Sequence, residues 1–292
     1  MLFQILLNGI AAGSLYALVA VGYNILYRPT NVFNFAQGDF VMLGAMIGAT
    51  AATIYGLPWF AALLAAGAAV GILGGIEQKL AVGPILRRSA SSHAWIISTL
   101  AVSLILANLV GLFWGPDPIR LQPPWPLSNR TFQLWGLRVS SYQLALIAGT
   151  AVIVFLIERY YRSRAGRAVL AVAEDRDAAL LRGIDPEKLS FWSFVLGGVF
   201  AGLTGVLAAP MLYASVGLAP IVLIKGFEAA AIGGIGNNRG ALLAGYILGI
   251  AEALGAVVLS PGYQQATTFA LMLVILLIRP QGLLGQRETR YV

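Results

Sequence analysis

The residues with chemical potential in this chain are a few charges set in long apolar surroundings. Lys225 and Glu228 stand three apart inside the stretch 218–235, and Glu252 lies inside the next, 240–259. Positions i and i+3 of a helix share a face, so Lys225 and Glu228 can neutralise one another and lower the cost of burying either. Such a pair is either part of a transport path or a clasp between helices. Gly217 and Pro220 before it, and Gly233, Gly234 and Gly236 after it, also allow the stretch to form a broken or re-entrant helix. A second polar group, Asn34, Gln37 and Asp39, falls in Asn31-Val-Phe-Asn-Phe-Ala-Gln-Gly-Asp39. Asn34 with Gln37 three residues later has the spacing of a capping box, and Asp39 suits the positive end of a helix dipole. The turn therefore either caps a helix or lines a translocation path. Metal chemistry has little to stand on. There is no cysteine, and the single His93 has no acidic neighbours. No HExxH sequence, Ser/His/Asp set or pair of intramembrane aspartates points to an enzyme.

The elements that must position these groups follow from composition. Of 292 residues, 59% are hydrophobic and 11% charged, against about 25% charged in an ordinary soluble domain. A bilayer accepts that much apolar surface, and about 20 apolar residues suffice for a helix to cross it. The alternation of a membrane β-barrel is absent. The sequence thus predicts an all-α polytopic membrane protein, a single transmembrane domain over residues 1–292. Apolar runs fall at 2–27, 36–55, 58–80, 93–115, 141–159, 188–212, 218–235, 240–259 and 263–279. The count is about eight spans if 218–235 re-enters, and nine if it crosses. The N-terminus lacks a basic region and cleavage site, so the first helix is expected to be retained.

Lys and Arg placement sets an orientation. Arg87 and Arg88 in the loop 81–92, five arginines in 160–187, and Arg279, Arg287 and Arg290 in the tail all fall on one side under strict alternation. The links 213–217 and 260–262, which hold no Lys or Arg, fall on the other. The positive-inside rule then makes the C-terminus cytoplasmic and the N-terminus and loop 116–140 extracytoplasmic. That loop holds Pro116, Pro118, Pro123, Pro124 and Pro126 with Trp114, Trp125 and Trp135 around it, and reads as an extracytoplasmic cap. The net charge of +7 is accounted for by these loops, so no nucleic-acid partner is expected.

Glycines recur at four-residue spacing as Gly9/Gly13, Gly44/Gly48, Gly67/Gly71/Gly75, Gly198/Gly202 and Gly245/Gly249. Each set predicts a helix face that lets another backbone approach closely. Residues 165–182 are rich in helix formers, with Gly183 placed to stop the helix and Asp185-Pro186 to start the next. As one helix the segment would span about 27 Å. It mixes Val169, Leu170, Val172, Leu180 and Leu181 with Arg167, Glu174, Asp175, Arg176 and Asp177. Its acids would repel anionic headgroups, which favours a protein partner over lipid.

The series Asn8-Gly-Ile-Ala-Ala-Gly-Ser-Leu-Tyr-Ala-Leu, Asn34-Phe-Ala-Gln-Gly-Asp39, Gly166-Arg-Ala and Ala173-Glu-Asp175 resembles the branched-chain amino acid ABC permease family, in particular its LivH-type subunit. So do Gly233-Gly-Ile-Gly236, Leu248-Gly-Ile-Ala-Glu252 and Arg279-Pro-Gln-Gly-Leu-Leu-Gly285. The likeness runs in order along nearly the whole chain. It implies a bacterial inner-membrane importer built from this permease, a second related permease, two cytoplasmic ATPases and a periplasmic solute-binding protein. It also implies that 165–182 is the segment that docks in the ATPase, with Arg167, Glu174, Asp175 and Leu181 as the coupling residues. The chain has no Walker sequence, so ATP and magnesium would belong to the partners. Substrates of such systems include leucine-like amino acids, urea, short amides and aromatic acids, and apolar amino acids are the first expectation. The competing class is an ion-coupled secondary transporter, with Glu228 and Glu252 as its candidate ion ligands, or a passive channel.

Overall fold

The structure, a computed structural model, describes residues 2–88, 93–124, 127, 131–134 and 137–285. Trp125, Pro126, Arg130, Trp135, Arg287 and Arg290, which figure in the expectations above, lie outside the described residues. Twelve α-helices are seen among the described residues: α1 (Leu2–Thr30), α2 (Gln37–Thr53), α3 (Trp59–Glu77), α4 (Gly83–Arg88), α5 (Ala94–Trp114), α6 (Ser141–Tyr161), α7 (Arg164–Glu174), α8 (Arg176–Leu181), α9 (Pro186–Leu212), α10 (Leu218–Gly233), α11 (Asn238–Val258) and α12 (Gln264–Ile278). A two-stranded hairpin, β1 (Thr131–Leu134) with β2 (Leu137–Ser140), lies in the long loop. Contacts group the chain into two units. One comprises Met1–Asn24, Pro123–Ile157 and Lys225–Val292, the other Ile25–Gln122 and Glu158–Ile224.

Seven helical segments among the described residues are long and apolar enough to cross a bilayer. One of them is α3 joined to α4 through a π-helical turn, Gln78–Val82, so the expected loop at 81–92 is instead helical as far as Arg88. The two short helices, α2 of 17 residues and α10 of 16, are placed by contacts. Gln4 Nε2 donates to the Arg138 carbonyl and the Arg138 amide donates to Gln4 Oε1, both at 2.9 Å. Residue 4 and the hairpin therefore share a membrane face, and the chain between them crosses an even number of times. The long helices α1, α3–α4 and α5 make three crossings, so α2 makes the fourth. The Ile119–Ala214 backbone pair puts the start of α10 on the loop's face. Beyond its end, the Gly236 amide donates to Asn24 Oδ1 at 2.7 Å, and Asn24 is about 30 Å along α1 from Gln4. The helix α10 is unbroken from Leu218 to Gly233.

In the first unit α1 and α11 pack antiparallel at glycines. A Cβ on Gly9 would lie 2.7 Å from the Gly249 carbonyl oxygen, and one on Gly245 would lie 2.6 Å from that of Gly13. In the second unit α2 and α3 both pack on α9. A Cβ on Gly44 would stand 2.5 Å from Gly202 Cα, and one on Gly202 would stand 2.6 Å from the Ala66 carbonyl oxygen. Leu26, Val32, Val82, Leu86 and Phe194 form an apolar cluster at one end of this unit.

The segment 165–182 is not one helix. It breaks at Asp175, whose backbone is extended (φ −152°, ψ 110°) and whose Oδ1 accepts from the amides of Asp177 and Ala178 at 2.9 Å. The carboxylate does better as the N-cap of α8 than inside a longer helix. Ser163 caps α7, Gly183 takes a φ of +79° after α8, and Asp185 caps α9. The Lys188 amide, together with its ammonium at 3.2 Å and the Glu187 amide, holds the Asp185 carboxyl below its usual range.

Backbone contact at glycine makes a direct prediction. Gly245→Leu should destabilise the protein by about 1–3 kcal/mol or more through overpacking, seen as a lower thermal aggregation temperature in detergent. Gly149→Leu, at a position where an added Cβ meets nothing within 4 Å, should leave that temperature unchanged.

Candidate functional site

Two buried polar clusters stand out, one in each unit. In the first unit α10 carries Lys225 and Glu228 to the same side, as their spacing predicted, with side chains 5% and 1% exposed. Lys225 Nζ lies 3.7 Å from Glu228 Oε2 and 3.5 Å from Glu252 Oε2 on α11, and donates to Thr268 Oγ1 on α12 at 2.6 Å. The Tyr16 hydroxyl on α1 donates to Glu252 Oε2 at 2.8 Å. One ammonium thus serves two carboxylates from different helices, Thr268 accepts from that ammonium, Tyr16 donates to Glu252, and neither oxygen of Glu228 has a hydrogen-bond partner. The expected pair is really a cluster of five residues on four helices. Thr268 and Tyr16 were invisible to sequence reasoning, because nothing local marks a hydroxyl in α12 or a tyrosine in α1 as a partner of Lys225 or Glu252.

In the second unit the turn before α2 behaves differently from a capping box. The N-cap of α2 is Ala36, with no side-chain cap. Asn34 Oδ1 accepts from the Ala36 amide at 2.8 Å, closing a local turn, and Asn34 Nδ2 donates to Glu77 Oε2 on α3 at 2.7 Å. Asn34 is drawn away from the helix end because the buried Glu77 carboxylate needs a donor and a charged acceptor makes the stronger bond. Gln37 is fully buried, and neither of its side-chain polar atoms has a partner. Glu77 Oε1 is likewise unpartnered. Asp39, 4% exposed, bonds to the Ser103 side chain of α5. Sequence reasoning missed Glu77, which fell at the edge of an apolar run. Its neighbours Gln78 and Lys79 were the available signal, and the π-helical turn begins immediately after it.

The candidate coupling residues are brought to one surface. Val169 and Val172 are buried and anchor α7, while Arg167, Glu174 and Asp175 are exposed. On α8, Leu180 is 58% and Leu181 90% exposed.

Taken together, a bundle of crossing helices with buried, incompletely satisfied polar groups and an apolar knob on a surface helix is the build of a transport subunit. Residues 5–276 match the family model described as branched-chain amino acid transport system / permease component. The chain belongs to this family. The permease is 33% identical to the high-affinity branched-chain amino acid transport permease BraD of Pseudomonas aeruginosa, over 99% of this chain and 97% of that one. It is 32% identical to LivH of Escherichia coli K12 over the same shares, and 26% identical to LivM of that organism over 92% of this chain and 68% of LivM. Among solved structures, PsaBC from Streptococcus pneumoniae in complex with Fab shares the fold, with a TM-score of 0.51 at 15% identity over 95% and 93% of the two chains. The permease is accordingly a multi-pass protein of the bacterial inner membrane and a transport subunit of the ABC importer type, not an enzyme. Its likeness to both LivH and LivM implies a permease pair.

The Lys225 cluster makes a test by subtraction. Lys225→Met leaves the buried Glu228 and the half-buried Glu252 carboxylates without their cation and should cost about 3–5 kcal/mol, read as loss of folded protein in detergent. Adding Glu228→Gln and Glu252→Gln should recover most of that loss, because the uncompensated charges go with them.

Proposed function

We propose that this chain is the LivH-type permease of an ATP-driven importer for branched-chain and other apolar amino acids. The observation that carries the reading is near full-length similarity, above 30%, to permeases whose names specify branched-chain amino acid transport. Around it stand a second homologous permease, two cytoplasmic ATPases that supply ATP and magnesium, and a periplasmic binding protein that selects the substrate. The C-terminus and the α7–α8 segment face the cytoplasm, in line with their arginines.

Coupling runs through α7 and α8. Leu181, with Leu180, enters an apolar groove of the ATPase, and Arg167 and Glu174 pair with charges at its rim. Asp175 has a different part: it holds the start of α8 in place. ATP binding moves the docked segment and with it α9, which follows after Gly183 and the Asp185 cap. The permease pair then alternates between inward- and outward-open states.

The path runs past Asn34, Gln37, Asp39 and Glu77. An amino acid in transit needs acceptors for its ammonium and donors for its carboxylate, and the unpartnered Gln37 amide and Glu77 Oε1 supply both kinds. The Lys225–Glu228 group, in which one ammonium lies between carboxylates of α10 and α11, acts as a clasp. The shared cation disfavours an ion-coupled transporter, because both of its candidate acids, Glu228 and Glu252, already face one lysine.

Two outcomes follow for the importer reconstituted with its partners. Leu181→Glu should cut leucine uptake at least tenfold and uncouple it from ATP hydrolysis, while Asp175→Asn, which keeps the cap, should retain most uptake. Assembly is checked by co-purification of the ATPases. Glu77→Gln should lower uptake about tenfold with the complex intact, since it removes a carboxyl with an unpartnered oxygen able to receive an ammonium. Full uptake by this variant would remove Glu77 from the path.

A further inference from the structure

The helix α5 presents an outer face through Ile97, Leu104, Ile105 and Leu112, which are 74%, 66%, 58% and 79% exposed. In a membrane such residues can face lipid, and the exposed faces of α6 (Val152, Phe155, Leu156) and α12 (Phe269, Leu273, Leu277) carry hydrocarbon alone in mid-helix. The α5 face differs by one group. Asn108 is exposed in its middle, four residues past the helix centre, or about 6 Å along the axis. That depth lies inside a hydrocarbon core with a half-thickness of about 15 Å. One amide hydrogen is taken by the Leu104 carbonyl at 2.7 Å. The other hydrogen and Oδ1 have no partner among the described residues. Around this amide, Leu104, Ile105, Leu109 and Leu112 border a groove of about 360 Å³.

Lipid chains offer nothing to an amide, whereas a neighbouring helix does. We infer that the α5 face around Asn108 is the surface on which the second permease subunit seats a transmembrane helix, with a side-chain or backbone polar group of that helix meeting Asn108. The inference rests on the permease-pair reading above. The groove suits one helix ridge, its rim is wholly apolar as a membrane partner requires, and the open amide fixes register as a buried polar group does between packed helices. Ser103, on another side of the same helix, is engaged by Asp39, so α5 would join the partner to the turn that carries Asn34 and Gln37.

The test uses the intact importer, all subunits co-expressed. A photoreactive benzoylphenylalanine is placed at Leu104, at Leu112 and, as a control, at Leu156 on α6. After irradiation in native membranes, adducts are identified by mass spectrometry. Adducts with the second permease at 104 and 112, but not at 156, are expected. Adducts at 104 and 112 joining two copies of this chain, or lipid adducts only, would overturn the assignment if the second permease still co-purifies. If it does not co-purify even without irradiation, the permease-pair reading fails as well. Independently, Asn108→Leu should lower the second permease retained in detergent about threefold. Unchanged retention would remove Asn108 from the interface.

Discussion

Helices in a bilayer gain little by burying apolar side chains against one another, because lipid tails are equally apolar. Their association rests on close packing of backbones. The rest of this permease depends on that constraint. Where α1 meets α11, and where α2 and α3 meet α9, glycine faces glycine, alanine or a bare carbonyl, and no side chain larger than hydrogen fits. Such contacts are stiff. A helix held at two glycines four residues apart cannot roll without collision, so a movement delivered to α9 carries α2 and α3 with it.

The same packing makes buried polar groups tolerable, and it sorts them into two kinds. The Lys225 cluster is compensated in charge: its ammonium sits between two carboxylates and on a hydroxyl, and Tyr16 supports Glu252 from α1, while the Glu228 oxygens have the ion pair and no hydrogen bond. Its value is to tie four helices in one unit at a single point. The Asn34–Glu77 group is open, with both ends of Gln37 and one oxygen of Glu77 lacking partners. An unsatisfied buried amide costs about 1–3 kcal/mol, and a protein keeps such a cost where a passing ligand or a second conformation relieves it. The π-helical turn directly after Glu77 fits that reading, since such turns interrupt regular helices at functional places.

How much of this was legible in the sequence differs by physical cause. Apolar runs, glycine spacing and the Lys225–Glu228 offset are local, and they placed the crossings, the packing faces and the first half of the clasp. The doubtful stretch 218–235 could not be resolved from its own residues, because flanking glycines permit a re-entrant turn as readily as a crossing. Its ends are held by contacts far off in the chain, the Ile119–Ala214 pair and the Gly236–Asn24 bond between residues 212 apart. Of the two readings of Asn34, the helix cap fails for the same reason: its partner, Glu77, lies 43 residues away. At 165–182 the signal was present but outweighed. Summed helix propensity favours one continuous helix, while Asp175 two residues before Asp177 is a good N-cap, and capping two backbone amides wins over continuation.

That break changes how force can pass through the proposed coupling segment. A single 27 Å rod would move as a lever. Two short helices with an extended residue between them separate anchoring from docking: α7 is fixed by Val169 and Val172, and α8 projects Leu180 and Leu181. Since α8 has six residues and a left-handed glycine after it, it cannot flex internally and can only pivot at its ends. Under the proposed coupling, a push on Leu181 passes through Gly183 and the Asp185 cap into α9, the helix on which both neighbours in its unit are packed through glycine. In that proposal surface charge selects the partner, while the geometry of the segment itself is set by three caps, Ser163, Asp175 and Asp185.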